Sequence, residues 1–431
     1  MKAINVGILG VGTVGSGVVK LLQEHGGLLE RRVGAPLRLR RVAVRSLRIP
    51  LDPKLVTRDA MEVVNDPQVD IVVELIGGTA TARTLCLAAI QNGKHLVTAN
   101  KALLAEYGLE LYQAAATQRV DLGFEASVCG AIPIIRSVRE GLVANRIQSI
   151  MGIVNGTTNY ILSKMTESGA AFGEVLAEAQ AKGYAEADPT LDVGGIDAAH
   201  KLQILASLAY GGYIRFSDIY IEGIQQVEAV DISFARELGY RIKLLAIAKE
   251  EQGELEVRVH PTMIPETHLL ASVSGVYNAV RIRGDSAGSL LFSGRGAGQM
   301  PTASSVVADI VEIAHNIVFH RPSRASLLPT SAIGGEATLK PMDKIRSRYY
   351  LRVMAVDKPG VLSTISGVLA ESQISIASML QKGRAEGAAV PIVMLTHEAV
   401  EGDLQAALKR IARLDVVAAA PVCLRVEGVE D

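Results

Sequence analysis

Residues 2–24 read KAINVGILGVGTVGSGVVKLLQE: an apolar run over residues 2–9, the turn Gly10-Val11-Gly12-Thr13-Val14-Gly15, then a helical pattern. A GxGxxG alone is a weak signal, but between a strand and a helix it is the fingerprint of a dinucleotide-binding turn. The first glycines permit the tight turn and let a pyrophosphate approach backbone N–H groups, and Gly15 lets the helix pack on the strand. Together with Thr13 and Val14, these glycines are the expected cofactor contacts, in an α/β fold of Rossmann type. The competing reading is a plain glycine-rich strand–helix turn.

The next strands extend the argument. The second, LRLRRVAVRS over residues 37–46, ends in Arg45-Ser46, with Arg48 beyond and no acid before Asp52. An acid there would bond the ribose 2′-OH of NAD, whereas an arginine accommodates a 2′-phosphate, so the strand end favours NADP with NAD still open. The run VDIVVELIGG, residues 69–78, closes on Gly77-Gly78-Thr79, and HLVTANKALL places Thr98, Asn100 and Lys101 at a strand's carboxyl edge, where ligands of open parallel sheets collect. A lysine opening a helix opposes the helix dipole, which points to a use for Lys101.

A second stretch concentrates chemistry. GYAEADPTLDVGGIDAAHK, residues 183–201, carries Glu186, Asp188, Asp192, Asp197, His200 and Lys201, with turn residues first and a helix from Asp197. Asp197 and Lys201 stand one helical turn apart on one face, which runs on through Ile204 and Leu208. The plain reading is an exposed ion pair. The apolar continuation favours a semi-buried pocket in which a lysine exchanges protons.

The 431 residues suffice for two or three domains with real cores: 49% are hydrophobic, none is Trp, and the net charge is −1. Near-neutral charge without a basic block argues against nucleic-acid or membrane-surface partners. No apolar run reaches spanning length, and the N-terminus enters a strand without a signal-peptide pattern. Cys86, Cys129 and Cys423 lack metal-type spacing and read as reduced thiols. A cytoplasmic enzyme is expected.

These motifs, in this order, resemble the homoserine dehydrogenases over residues 1 to about 325. The remainder, whose β-α-β-β-α-β pattern contains Asp357-Lys358-Pro359-Gly360, resembles the ferredoxin-like ACT regulatory domain. The expected division is 1–133 with 302–327 for the dinucleotide domain, 134–301 for an α+β substrate and dimerisation domain, 328–347 for a linker and 348–431 for the ACT domain. The C-terminal domain is expected to be removable after about Arg348.

The resemblance implies NAD(P)H-dependent reduction of aspartate 4-semialdehyde to homoserine, with Lys201 and Lys101 catalytic. It places the substrate against Glu186, Asp192, Asp197, Asn155, Gly156 and Thr157, and adds Gly183 and Gly298 to the cofactor site. It implies a monovalent cation such as sodium on oxygens, largely main-chain, of Glu125, Val128, Gly130 and Ile132. It also implies a homodimer or homotetramer and threonine as effector near Asp357, Lys358 and Gly360. Two other readings stay open: a two-domain dehydrogenase for another amino-acid or sugar carbonyl, and a silent amino-acid sensor.

Overall fold

The structure, a computed structural model, describes residues 2–46, 49–323, 337–382 and 388–428. Arg48, residues 324–327 of the expected returning segment and residues 328–336 of the expected linker lie outside them. The chain divides into two compact units. The first comprises Met1–Gly156, Asp197–Ile219 and Val276–Ala337, the second Thr157–Ile196, Tyr220–Gly275 and Thr338–Asp431.

The first unit is built on a six-stranded parallel sheet of β1 (Ile4–Leu9), β2 (Leu37–Ala43), β3 (Val56–Thr57), β4 (Ile71–Glu74), β5 (His95–Thr98) and β6 (Leu122–Gly123). Their order, β3-β2-β1-β4-β5-β6, reverses direction between β1 and β4, the switch point beside which dinucleotides bind in such sheets. All four residues of β4 are buried, as a strand covered on both faces requires. Two strands stop earlier than the apolar runs suggest. β2 ends at Ala43, where the chain bends and Val44 N–H bonds to Thr57. β4 ends at Glu74, whose carboxylate turns back to accept Ile76 N–H and Gly77 N–H.

Helix Thr13–Glu24 buries Gly15, Val18, Val19 and Leu22, the i, i+3, i+4, i+7 stripe of an amphipathic helix. The returning helix begins at Gln299, slightly before the expected start near Thr302, and runs to Val318. It lies so close to the first helix that a Cβ on Gly17 would stand 2.9 Å from that of Ala303. Three antiparallel strands, Ile147–Ile153, Tyr277–Gly284 and Gly288–Arg295, also belong to this unit.

In the second unit, the hairpin Tyr240–Glu251 and Glu254–Pro265 pairs over its whole length. The C-terminal segment has strands Arg346–Val356, Ile376–Gln381, Ala389–Thr396 and Val422–Val426 with helices Val361–Glu371 and Glu401–Ile411. Its antiparallel sheet has the last strand beside the first, the split β-α-β arrangement expected. The last strand also pairs in parallel with Glu254–Pro265, through Thr262↔Arg425 and Met263↔Val426.

Buried charges reinforce that join. Arg258 is fully buried between Glu427 at 2.7 Å and Glu256 at 3.2 Å, and Arg425 reaches Glu401 at 2.6 Å and Glu222 at 2.5 Å. The segments 157–196, 220–275 and 338–431 form one compact body.

Candidate active site

The glycine-rich turn has the shape of a cofactor cradle. Gly10 has φ +95°, and a Cβ there would stand 2.8 Å from the Leu75 carbonyl oxygen. A Cβ on Gly15 would lie 2.2 Å from the Gly10 carbonyl oxygen, so neither position accepts a side chain. Gly12, by contrast, faces open space, with no atom within 4 Å of an added Cβ. Helix Thr13–Glu24 starts directly beyond, so Thr13 and Val14 present a helix N-terminus to an anion.

Gly298, with φ +125°, opens the returning helix, and the next residue, Gln299, donates a 2.8 Å hydrogen bond to Ser16 Oγ in the first turn of the first helix. Arg45 is exposed two residues beyond β2, and Gly10 N–H bonds to Ala43 at the end of that strand. An open glycine turn, a helix N-terminus and a cation at the second strand end fit NAD(P).

Thr98 sits differently from a hydroxyl offered to a ligand. It is fully buried, donates to Glu74 Oε2 at 2.6 Å and accepts Asn100 N–H at 3.0 Å. Asn100 caps the following helix by accepting Leu103 N–H and reaches the Gly78 carbonyl at 2.7 Å. Glu74, which the sequence reading missed, thus ties two ligand-side turns together. Burial raises its pKa above the usual carboxylate value.

The charged centre is Asp197. Its Oδ2 accepts Lys201 Nζ at 2.6 Å and Asn155 Nδ2 at 2.8 Å, while Lys101 Nζ lies 2.7 Å from Oδ1. Lys201 Nζ also donates to the Val154 carbonyl at 2.7 Å, an oxygen that Asn278 Nδ2 shares. The Asp197 and Lys201 side chains are buried, but that of Lys101 is 40% exposed. One end of the triad therefore opens outward. Burial alone would raise the Asp197 pKa, but the charges of Lys201 and Lys101 hold it well below the usual carboxylate range. The pair that sequence spacing suggested is thus a lysine–carboxylate–lysine triad with a third side chain, Asn155, on it. His200 points elsewhere, stacked on Phe216 at 4.6 Å, and burial lowers its basicity.

Other predicted residues have their own contacts. Gly156 is required by the Val276 carbonyl, 2.8 Å from an added Cβ. In the second unit, Thr157 donates to the Tyr184 carbonyl at 2.7 Å, one residue past Gly183, which has φ +71°. Glu186 is exposed, Asp192 is half-buried, and Asp188 caps the short helix at Thr190.

The loop expected to hold a cation turns through two left-handed residues, Cys129 at φ +55° and Gly130 at φ +53°. Buried Cys129 packs as a small apolar residue would. Glu125 spends both carboxylate oxygens on the N–H groups of Ile135 and Arg136, and Gly130 O accepts the Ser305 hydroxyl at 2.7 Å. A cation there would rest on main-chain oxygens of Glu125, Val128, Gly130 and Ile132. Asp309, unnoticed in the sequence, accepts Glu125 N–H at 2.8 Å; burial and the Glu125 carboxylate push its pKa up to about 8.

Known proteins share this architecture and these motifs. Residues 133–311 match the homoserine dehydrogenase family, residues 10–125 its NAD-binding domain and residues 349–416 the ACT domain. A homoserine dehydrogenase of Neisseria gonorrhoeae is 47% identical over the whole of both chains. This chain belongs to the homoserine dehydrogenase family.

Among solved homoserine dehydrogenases, that of Thiobacillus denitrificans is 47% identical with TM-score 0.93, covering 99% of this chain and 98% of that one. A hyperthermophilic archaeal homoserine dehydrogenase, solved in complex with NADPH, is 28% identical with TM-score 0.63, covering 75% and 99%. The chain is thus an NAD(P)-dependent oxidoreductase of this family, with a Rossmann-type sheet, a mixed sheet and a C-terminal ACT domain. Among the described residues no helix is long and apolar enough to cross a membrane.

Proposed function

We propose that this protein reduces aspartate 4-semialdehyde to homoserine, reversibly, with NADPH preferred over NADH, as a cytoplasmic step in threonine, isoleucine and methionine synthesis. The observation that carries the reading is the Lys101–Asp197–Lys201 triad in the unit that holds the glycine turn. When bound, the nicotinamide supplies the hydride. The carbonyl oxygen then becomes an alkoxide that needs a proton, and Lys201 is the proton donor.

Asp197 holds both ammonium groups, and Asn155 and the Val154 carbonyl fix the orientation of the Asp197–Lys201 pair. Lys101, the more exposed lysine, serves the cofactor side. Asp197 also holds the substrate amine, and the turn at Gly156 receives its carboxylate. Arg45 faces the 2′-phosphate, a choice supported by its place past β2 and by the NADPH held by the archaeal relative.

A monovalent cation such as sodium orders the loop of Glu125, Val128, Gly130 and Ile132, and the enzyme works as a homodimer or homotetramer. Threonine inhibits by binding the ACT domain at the turn of Asp357, Lys358 and Gly360. Gly360 there has φ +89° and opens helix Val361–Glu371. Following NADPH absorbance with aspartate 4-semialdehyde tests the catalytic reading. Saturable oxidation is expected, and none by a folded, NADPH-binding protein would overturn it. Millimolar threonine should slow the reaction several-fold, the scale of an ordinary coupling free energy of about 1–3 kcal/mol.

A further inference from the structure

The second unit contains a cavity of about 380 Å³ walled by Ser163, Thr166 and Glu167 of helix Gly156–Ser168, Arg236 of helix Ala229–Glu237, and Arg241 and Lys243 of the adjoining strand. Lys243 is 4% exposed, yet its ammonium donates to two neutral oxygens, Asn159 Oδ1 at 3.0 Å and the Val273 carbonyl at 2.6 Å. The buried arginines of the same unit are built otherwise. Arg258, Arg352 and Arg425 each have a carboxylate oxygen within 2.7 Å.

A buried cation without a close counter-charge is costly, and an ammonium has a third N–H to give. Ser163, 8% exposed, adds a buried hydroxyl with no hydrogen-bond partner among the described residues. The walls carry three cations against one carboxylate, and Arg241 is 3.1 Å from Glu266.

We infer that this cavity binds a small anion carrying a carboxylate or phosphate group, which accepts hydrogen bonds from Lys243 and Ser163 and is closed in by Arg236 and Arg241. The volume falls within the range of small-molecule sites, which fix orientation with a few convergent polar groups. Burial and the neighbouring Arg241 push the Lys243 pKa down to about 8, the direction an uncompensated cation takes. The inference is independent of the substrate assigned above, because none of these side chains belongs to the triad.

Calorimetry on the full chain tests it, with saturating NADPH present so that the cofactor site is closed to competing anions. Succinate and inorganic phosphate are the two probes, each against sodium chloride of equal ionic strength. Saturable binding of one probe is expected, and the one that binds identifies the group. Lys243→Met should weaken it at least about tenfold, the loss of one charge-assisted hydrogen bond of roughly 1.5–3 kcal/mol. NADPH oxidation should persist in that variant. Should Lys243→Met not fold, Ser163→Ala and Arg236→Ala carry the same test with smaller losses. Absence of saturable binding by both probes, or binding unchanged in these variants, would overturn the site.

Discussion

Two buried ionic assemblies in this molecule are built from different cations. In the first unit, Asp197 stands between Lys101 and Lys201, one of them partly open to solvent. In the second, Arg258 and Arg425 are closed in by Glu256, Glu427, Glu401 and Glu222. An arginine stays charged and holds carboxylates in a fixed fork, whereas a lysine is a point charge that can give up its proton. Each assembly has the cation its task requires. The arginines join strands distant in sequence, and the lysines stand where the proposed reduction needs a proton to move.

The sharpest way to break the contrast is to remove a partner from the arginine side. Glu427→Ala leaves Arg258 fully buried with Glu256 alone, and the expected cost is about 3–5 kcal/mol of stability. With no tryptophan in the chain, denaturant titration followed by far-UV circular dichroism is the suitable measurement. Activity of the fraction still folded should change little. A loss below about 1 kcal/mol, the scale of an exposed pair, would show that this assembly is not the join described.

On the lysine side the loss should appear in rate. Lys201→Ala should lower kcat by about a hundredfold or more, the usual scale for a lost general acid, with NADPH binding retained in a fluorescence titration. Lys201→Arg keeps the charge but not the exchangeable proton, and should fail nearly as badly. Near-normal turnover in either variant would remove Lys201 as the donor.

Asp309 sharpens the comparison from within the first unit. It is as deeply buried as Asp197, but its neighbours are the Glu125 carboxylate and, at 3.8 Å, Arg136. Its pKa is raised to about 8 where that of Asp197 is depressed, so the two have opposite linkage. A raised carboxylate binds its proton more tightly in the folded state. Its contribution is full below the ordinary aspartate pKa and fades as pH rises towards 8, by up to about 1.4 kcal/mol per pH unit. In sodium-free buffer the wild type should lose stability from this group as pH rises between roughly 6 and 7.5. Denaturation at both pH values should show a flatter response in Asp309→Asn, and equal slopes would refute the assignment.

The smallest effect is expected at the exposed Arg45. Arg45→Asp should shift the NADPH-to-NADH ratio of kcat/KM towards NADH by about tenfold, roughly 1.4 kcal/mol. A wild type that already prefers NADH would invert the reading of that strand end.

How far the sequence carries depends on how local each feature is. The glycine turn, the Asp197–Lys201 spacing and the periodicity behind the β-α-β-β-α-β pattern are local features of the chain, and each is visible before folding. Lys101 meets Asp197 only when helix Lys101–Gln118 lies against helix Ile196–Tyr210, where Gln203 donates to the Ala105 carbonyl. Nothing in the spacing of Glu74 and Thr98 announces their hydrogen bond. The parallel pairing of the last strand with Glu254–Pro265 was likewise hidden, because the hydrophobic pattern says that a strand exists and not which neighbour it takes. Nothing in the sequence sets Lys243 apart from another strand lysine, because its partners Asn159 and Val273 are brought to it only by the fold.

That last pairing bears on how the molecule is made. Arg258 and Glu427 are 169 residues apart. On the ribosome, strand Glu254–Pro265 emerges long before the strand that completes its edge. Until the strand Val422–Val426 and Glu427 have been made, a nascent chain carries an unpaired sheet edge and a cation whose main partner does not yet exist. Such edges are where newly made chains associate wrongly or recruit chaperones. A chain terminated before the strand Val422–Val426 would leave Glu254–Pro265 without that edge partner and Arg258 without its nearer carboxylate.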